Sequence, residues 1–450
     1  MIKNDICGCP VTLTSSVALE AWNGVIHGLL SHGRETPVHL GRAMDEEPDF
    51  AMGHAARGLF CLMTGRAEVI APAHAALAAA RTAAQNTSVT MRETGWINAL
   101  ARWLEGSPTA AIACVEEVLI ALPHDTLSAK LSHGIRFMLG DSAGMRRSIE
   151  RVLPAHNNSH PCVGYLMGCH AFTLEETGDY EQAERIGRRG LMFAPDDAWG
   201  LHAVAHVCDM TARATDGIAL IEGNTAAWEG SNNFRYHVWW HKALLHIERG
   251  EFDVALGLYD AQIRADKTDD YRDISNATSL LMRLELEGMD IGPRWEELAD
   301  FSENRVEDGC LVFADLHYLL ALTGADRGPA RDAMTARFAR DCTKSTDMAA
   351  RVDAPGTAAL AGLNAFSEGK YDTAFLNLAA ARPLMPTIGG SYAQRDVFER
   401  MTIDAGLRAG YYDATKAILH DRLKQRGGHI DRFAATRFER LNTARDIAAE

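Results

Sequence analysis

Two histidine pairs carry most of the chemistry this sequence offers. His202 and His206 stand in WGLHAVAHVCDM, and His237 and His241 stand in FRYHVWWHKALL. Residues four apart on a helix share one face, about a turn apart, so each pair presents two imidazoles side by side. The pairs are 35 residues apart (237 − 202), close to the length of one helical-hairpin repeat. Stacked hairpins would place both pairs on neighbouring helices of one layer. Clustered imidazoles near a carboxylate suit acid–base chemistry around neutral pH. Neutral imidazoles with a further ligand, usually a carboxylate, also suit a transition metal. Glu175, Asp209, Asp260, Asp273 and Asp315 are the carboxylates considered. The pairs lack a Glu beside the first His, so they are not the metalloprotease motif.

His202, His206, His237, His241 and Asp209 are therefore the candidate catalytic groups, for acid–base chemistry of hydrolase or lyase type. A ligand would meet Trp199, Trp240, Asp273 and His317 around them. His317 lies in FADLHYLLAL, where Asp315 is a second partner for it. TIGGSYAQRDVF adds Ser391, Tyr392 and Arg395. Its paired glycines precede a helix, whose N-terminal N–H groups attract anions, and an arginine offers a fork to a carboxylate or phosphate. No cofactor is required by this reading. A divalent metal at His202, His206 and His237 is the alternative.

The elements that must position these residues are marked by glycines. Gly65, Gly106, Gly140, Gly178, Gly250, Gly288, Gly324, Gly369 and Gly410 punctuate the chain, with Ala212 at the missing place. Successive spacings run from 34 (140 − 106) to 45 (369 − 324), the period of helix-hairpin solenoids. Several units carry more detail: Gly178-Asp-Tyr with Ala183, Gly250-Glu-Phe with Ala255, and Gly369-Lys-Tyr with Ala374. This spacing resembles the tetratricopeptide repeat. Gly ends the first helix in the left-handed conformation, the aromatic residue packs in the interhelix angle, and the small Ala lets the helices approach. Strand patterns are nearly absent. The fold class expected is all-α, an α-solenoid superhelix of roughly ten such hairpins. Residues 1–20 form an N-terminal segment and 21–450 the solenoid. Within it, 160–325 hold the ligand-site repeats and 386–396 a loop that closes over them from across the superhelix, with Arg395 facing Asp273 or an anionic ligand.

Longer stretches are similar to the tetratricopeptide repeat protein 38 family. These are WGLHAVAHVCDM, HVWWHKALLHIERGEFDVALGLYD, RDISNATSLLMRLELEGMDIGPRWEELA and IGGSYAQRDVF, in that order. The resemblance runs from about Trp22 to the C-terminus. It implies an α-solenoid of degenerate repeats with polar side chains turned inward. This chain departs from the family pattern at Asp209, Met282 and Tyr392.

Composition bounds the partners. The chain has 450 residues, a net charge of −15 and 47% hydrophobic content. That acidic balance argues against nucleic acid and against an anionic membrane surface. No apolar run reaches the ~18 residues of a membrane helix, and MIKNDICGCPVTLTSS lacks a signal-peptide core. A cytoplasmic protein is expected. Nine cysteines, an odd number, fit a reducing compartment, and Cys7-Gly8-Cys9 is expected to lie in a flexible N-terminal segment. The function expected is small-molecule binding, of a polar or aromatic ligand, in a pocket lined by His, Asp and Trp. A peptide-binding adaptor that uses the concave groove is the rival, and a His-coordinated metal enzyme the third reading. A homodimer is compatible with either.

Overall fold

The computed structural model describes residues 2–449, with side chains through 443. Helices alternate between an inner and an outer layer. The inner helix Val163–Glu176 is buried along its whole length, whereas its outer partner Tyr180–Phe193 buries only Ala183, Gly187 and Gly190. The same division repeats along the chain, because the inner helices are wrapped on both sides and the outer ones face water. Ala183, Ala255 and Ala374 are fully buried, so the close approach expected of the tetratricopeptide spacing is made. The chain is an all-α solenoid of tetratricopeptide-like hairpins.

Each hairpin turns on one left-handed residue. His32, Gly65, Gly106, Gly140, Gly178, Ala212, Gly250, Gly288, Asp326, Gly369 and Gly410 all have φ between 52° and 86°. Ala212 does adopt the turn conformation at the place where glycine is missing. Gly324 does not: it ends the helix Val312–Gly324, and Asp326 makes the turn instead. Gly324 is small for another reason, since a Cβ there would meet the Trp295 ring at 2.3 Å.

The N-terminal segment is ordered, against expectation. Ile2–Asn4 pairs antiparallel with Pro10–Thr12. The buried Asp5 carboxylate accepts from the N–H groups of Cys7 at 3.0 Å and Cys9 at 3.1 Å. Arg92 pairs with Asp5 and grips Asp125 through two contacts of 2.7 Å. The hairpin is thus fixed by a buried charge network that local sequence does not announce.

The superhelix is wound so tightly that its turns touch. Arg34 donates to the Ser231 carbonyl at 2.8 Å, 197 residues on. Thr109 N–H donates to Asp347 at 2.8 Å across 238 residues, and Tyr392 N–H to Glu176 at 2.7 Å across 216. Arg432 N–H reaches Glu248 at 2.8 Å across 184. The concave side in the middle repeats is consequently filled by side chains, and its polar residues are core residues rather than groove residues.

The last hairpin is locked by Arg422, which has no exposed side-chain surface and pairs with Asp396 and Asp431. Asp431 also accepts from Ala434 N–H at 2.9 Å, starting the final helix. Both carboxyls are buried, which alone would raise their pKa. The Arg400 and Arg422 guanidiniums around Asp396, and Arg422 and Arg426 around Asp431, hold them well below the usual range. Folded values below unfolded ones mean stabilisation that is complete above the ordinary carboxylate pKa of ~3.9 and lost as pH falls through the folded value. Asp431→Asn should therefore destabilise by about 3–5 kcal/mol near neutrality, since it removes the one carboxylate shared by the buried Arg422 and Arg426 and leaves the cluster one negative charge short. Chemical denaturation at a series of pH values should show the gap from the parent shrinking below pH ~4. A gap constant with pH would contradict this assignment.

Candidate functional site

Four consecutive inner helices build the site. Val163–Glu176 supplies Glu175, Ala198–Met210 supplies His202 and His206, Phe234–Glu248 supplies His237 and His241, and Tyr271–Leu286 supplies Asn276. The histidine spacing of four turns each pair to the same helix face, and hairpin stacking sets the two faces against each other. His206 Nε2 is 2.8 Å from His202 Nε2, His202 Nε2 is 3.1 Å from His237 Nε2, and His237 Nε2 is 3.1 Å from His241 Nε2. A ligand atom from each of the four histidines lies within 4.8 Å of every other. All four rings are buried, at 1–8% exposure.

The outer nitrogens face acceptors. His237 Nδ1 lies 3.0 Å from Asn276 Oδ1. His206 Nδ1 lies 3.3 Å from a Glu175 carboxylate oxygen, an ion-pair distance without hydrogen-bond alignment. Aromatic rings wall the cluster: Trp240 stacks on His237 with centroids 5.2 Å apart, and Phe172 on His202 at 5.5 Å. Trp199 packs against His202 at 5.0 Å and takes the Lys130 ammonium 4.5 Å over its ring.

Burial pushes His202 and His241 far below the ordinary imidazole value and His237 down to about 3, so these rings are neutral. At His206 burial pulls the same way, but the Glu175 carboxylate outweighs it and the net direction is up. Burial raises Glu175 in turn, with His206 opposing. Neutral imidazole is the form that binds metal.

The other residues picked from sequence scatter. Asp209 is drawn away by Arg426, which donates to its backbone carbonyl and lies 3.4 Å from its carboxylate. Asp273 is held by Thr268 at 2.6 Å, and Asn233 lies 3.4 Å from it. His317 Nδ1 donates to the Phe313 carbonyl at 2.7 Å, and Phe313 and Phe398 sandwich the ring. Asp315, considered as its partner, pairs with Arg337 at 2.7 Å. Asp260 pairs with Arg294 in a partly exposed bridge.

The 386–396 segment does cross to the middle repeats, but not as an anion cradle. Its helix N-terminus already holds an internal anion, because Tyr392 N–H donates to Glu176. Ser391 caps that helix in a capping box with Gln394, and Arg395 binds the Gly390 carbonyl and lies 3.5 Å from Glu176. Arg395 thus faces Glu176, not Asp273. Gly389 and Gly390 are required by close packing, since a Cβ would meet the Met138 carbonyl at 2.3 Å and the Phe313 ring at 2.5 Å.

Asn276 was not singled out from the sequence. The signal existed: the register of 35 that carries His206 to His241 (241 − 206) carries His241 to Asn276 (276 − 241).

No family model matches the chain. Solved structures similar to it include a human IFIT1 dimer with PPP-AAAA, 14% identical with a TM-score of 0.41, covering 98% of this chain and 96% of that one. A human IFIT1 dimer with m7Gppp-AAAA is 15% identical with a TM-score of 0.38, covering 85% and 87%. A Naa15/Naa10 structure bound to HypK-THB is 12% identical with a TM-score of 0.25, covering 89% and 68%. The two IFIT1 chains hold nucleic acid, so the exclusion of a nucleic-acid partner from acidic balance is withdrawn. Net charge sums over the whole surface and does not exclude a local basic patch. Among the described residues no helix is long and apolar enough to cross a membrane.

These placements separate core histidines from one another. His317→Leu removes a ring whose Nε2 has no hydrogen-bond partner, and should change unfolding free energy by less than ~1 kcal/mol. His202→Ala opens a gap between Phe172, Trp199 and three rings, and should destabilise by ~1–3 kcal/mol. Equal melting temperatures for His202→Ala and the parent would mean that the ring is not packed as described.

Proposed function

We propose that this chain is a metal-binding helical-repeat protein, with one borderline divalent transition ion, Zn²⁺ by first preference, held by His202, His206, His237 and His241. The observation that carries the reading is the convergence of four Nε2 atoms. Asn276 Oδ1 calls for the ring proton on Nδ1 of His237, and a neutral His206 with its proton on Nδ1 towards Glu175 would likewise present a bare Nε2 lone pair. His202 Nε2 lies between those two nitrogens and can donate a proton to only one of them. Neutral tautomers allow one donor in the His206–His202 contact and one in the His237–His241 contact, and a cation bonded to all four nitrogens would replace those hydrogen bonds with coordination. Metal–nitrogen bonds of ~2.0–2.1 Å in a tetrahedron place the nitrogens ~3.3 Å apart, close to the spacings here. An all-imidazole set with no thiolate suits Zn, Cu, Ni or Fe over Ca or Mg. Carboxylate and amide partners on the outer nitrogens are the customary support of ligating histidines.

Four protein nitrogens close a tetrahedral site, so the ion's role is to cross-link the two inner helices Ala198–Met210 and Phe234–Glu248, with the flanking inner helices positioning the rings. Assignment to the tetratricopeptide repeat protein 38 family belongs to this reading, supported by the four motifs that carry the resemblance. Acid–base catalysis by the His/Asp cluster has less support, since Asp209 is engaged by Arg426 and the rings are sealed. The peptide-adaptor reading would need a concave surface other than the filled middle repeats.

Elemental analysis of the chain purified without chelator should give one transition ion per chain. After removal by a strong chelator, added Co²⁺ should produce the intense visible bands of a tetrahedral site, and melting temperature should rise with ion concentration. His241→Gln and His237→Gln should lose the bands, whereas Asp209→Asn should keep them. Substoichiometric metal together with only the pale spectrum of hydrated Co²⁺ would refute the centre.

A further inference from the structure

The N-terminal hairpin presents a thiol pair that the histidine centre does not use. Cys7 Sγ lies 3.6 Å from Cys162 Sγ, across 155 residues of chain. Both residues are buried, at 4% and 3% exposure, and both are free thiols.

Each sulfur is brought there by its own built element. Cys7 stands between the paired strands Ile2–Asn4 and Pro10–Thr12. The Asp5 carboxylate holds its N–H, and Gly8 next to it takes the left-handed conformation, φ 76°, that turns the chain back. The hairpin is pinned on both sides of the sulfur: Ile6 N–H donates to Asn23 at 2.8 Å, and Thr12 Oγ1 donates to Glu93 at 2.6 Å. Cys162 is the N-cap residue of the inner helix Val163–Glu176. Its N–H donates to His160 Nδ1 at 3.1 Å, and His160 Nε2 donates to the His124 carbonyl at 3.2 Å. Two thiols held in contact by separate anchors are poised for one reaction. A disulfide needs its sulfurs ~2.05 Å apart, and rotation about the two Cα–Cβ bonds is the motion that closes the gap.

We propose that Cys7 and Cys162 form a redox latch, in which a small peroxide joins them in a disulfide that fastens the N-terminal hairpin to the helix Val163–Glu176. With hydrogen peroxide, one sulfur attacks the O–O bond, gaining an S–O bond as water leaves. The second sulfur then displaces the sulfenic oxygen as another water, and the S–S bond forms. Two thiols are oxidised, one peroxide is reduced, and the two thiol hydrogens leave in the waters. The hydrogen bond to Cys162 and burial hold the Cys7 thiol far above its ordinary range, so the seated pair is protonated and reacts slowly. Local opening of the hairpin admits the oxidant, and reseating brings the sulfurs together. The cross-link spans 155 residues, and closing so long a loop restricts the unfolded chain most.

Peptide mass spectrometry of the folded full-length protein, before and after millimolar hydrogen peroxide, tests this. A Cys7–Cys162 linked peptide should appear on oxidation, the melting temperature should rise by about 5 °C, and dithiothreitol should reverse both. Cys7→Ala and Cys162→Ala should each abolish the link and the rise, whereas Cys114→Ser, at a partly exposed cysteine, should keep them. The linked peptide is read from the parent chain, so the test stands even where a variant fails to fold. Oxidation confined to other cysteines, a Cys7–Cys9 link in its place, or a linked form that melts no higher than the reduced one would overturn the latch. None of these readouts involves an ion at the histidines.

Discussion

Everything in this molecule depends on one constraint: a solenoid that touches itself must satisfy its polar inner wall without water. In an open array the concave face is wet and its charges need no partners. Here contacts made 184 to 238 residues apart remove that solvent. Each buried charge must then find an opposite charge or remain costly. Arg92 has Asp5 and Asp125, Arg337 has Asp315 and Asp341, and Arg422 has Asp396 and Asp431. These networks stabilise only because closure made them necessary, and closure holds because they are complete.

The local half of this architecture was legible in the sequence. Left-handed residues at hairpin turns are set by neighbours a few positions away, so the glycine period exposed most of them and Ala212 could be placed by counting, whereas Asp326 was missed because the period pointed to Gly324 two residues before it. The two histidine pairs were legible for the same reason, since a spacing of four and a register of 35 are both properties of single helices and single hairpins. What was not legible is whatever the closure decides. Asp209 reads as a partner for His206 by proximity on one helix, yet Arg426, 217 residues on, competes for it. Arg395 reads as a donor for a ligand, yet Glu176 from another superhelical turn occupies it. The β-hairpin at residues 2–12 depends on Arg92, which no local pattern connects to Asp5. A concave groove was the natural expectation because a period specifies a repeat but not the pitch at which repeats meet.

Quasi-one-dimensional arrays derive stability from nearest-neighbour interfaces, and separate stretches of such an array can open independently. Two features here oppose that. The seam contacts join repeats that are distant in sequence, so opening one hairpin exposes surface on another superhelical turn. The histidine cluster adds a local tie, because His202 and His206 belong to one hairpin and His237 and His241 to the next. The proposed ion would act across the interface along which an array would part. That is the place where one ligand bond set stabilises the most structure, and it explains why the cluster occupies neighbouring inner helices and not one hairpin.

The composition of the cluster also bears on what it can do. A catalytic metal site keeps an open coordination position and a route for substrate. Four histidines leave no such position in a tetrahedron, and Phe172, Trp199 and Trp240 cover the rings. A surface pocket of about 350 Å³ is lined by Glu175, Tyr180 and Tyr392. None of the four histidines lines it. Neutral ligands are also the right choice for a sealed site. Four imidazoles leave the ion's charge of two to be offset by Glu175 at a distance, whereas several carboxylates would bring net negative charge and its desolvation penalty into the core. The arrangement therefore fits the proposed structural centre better than a catalytic one.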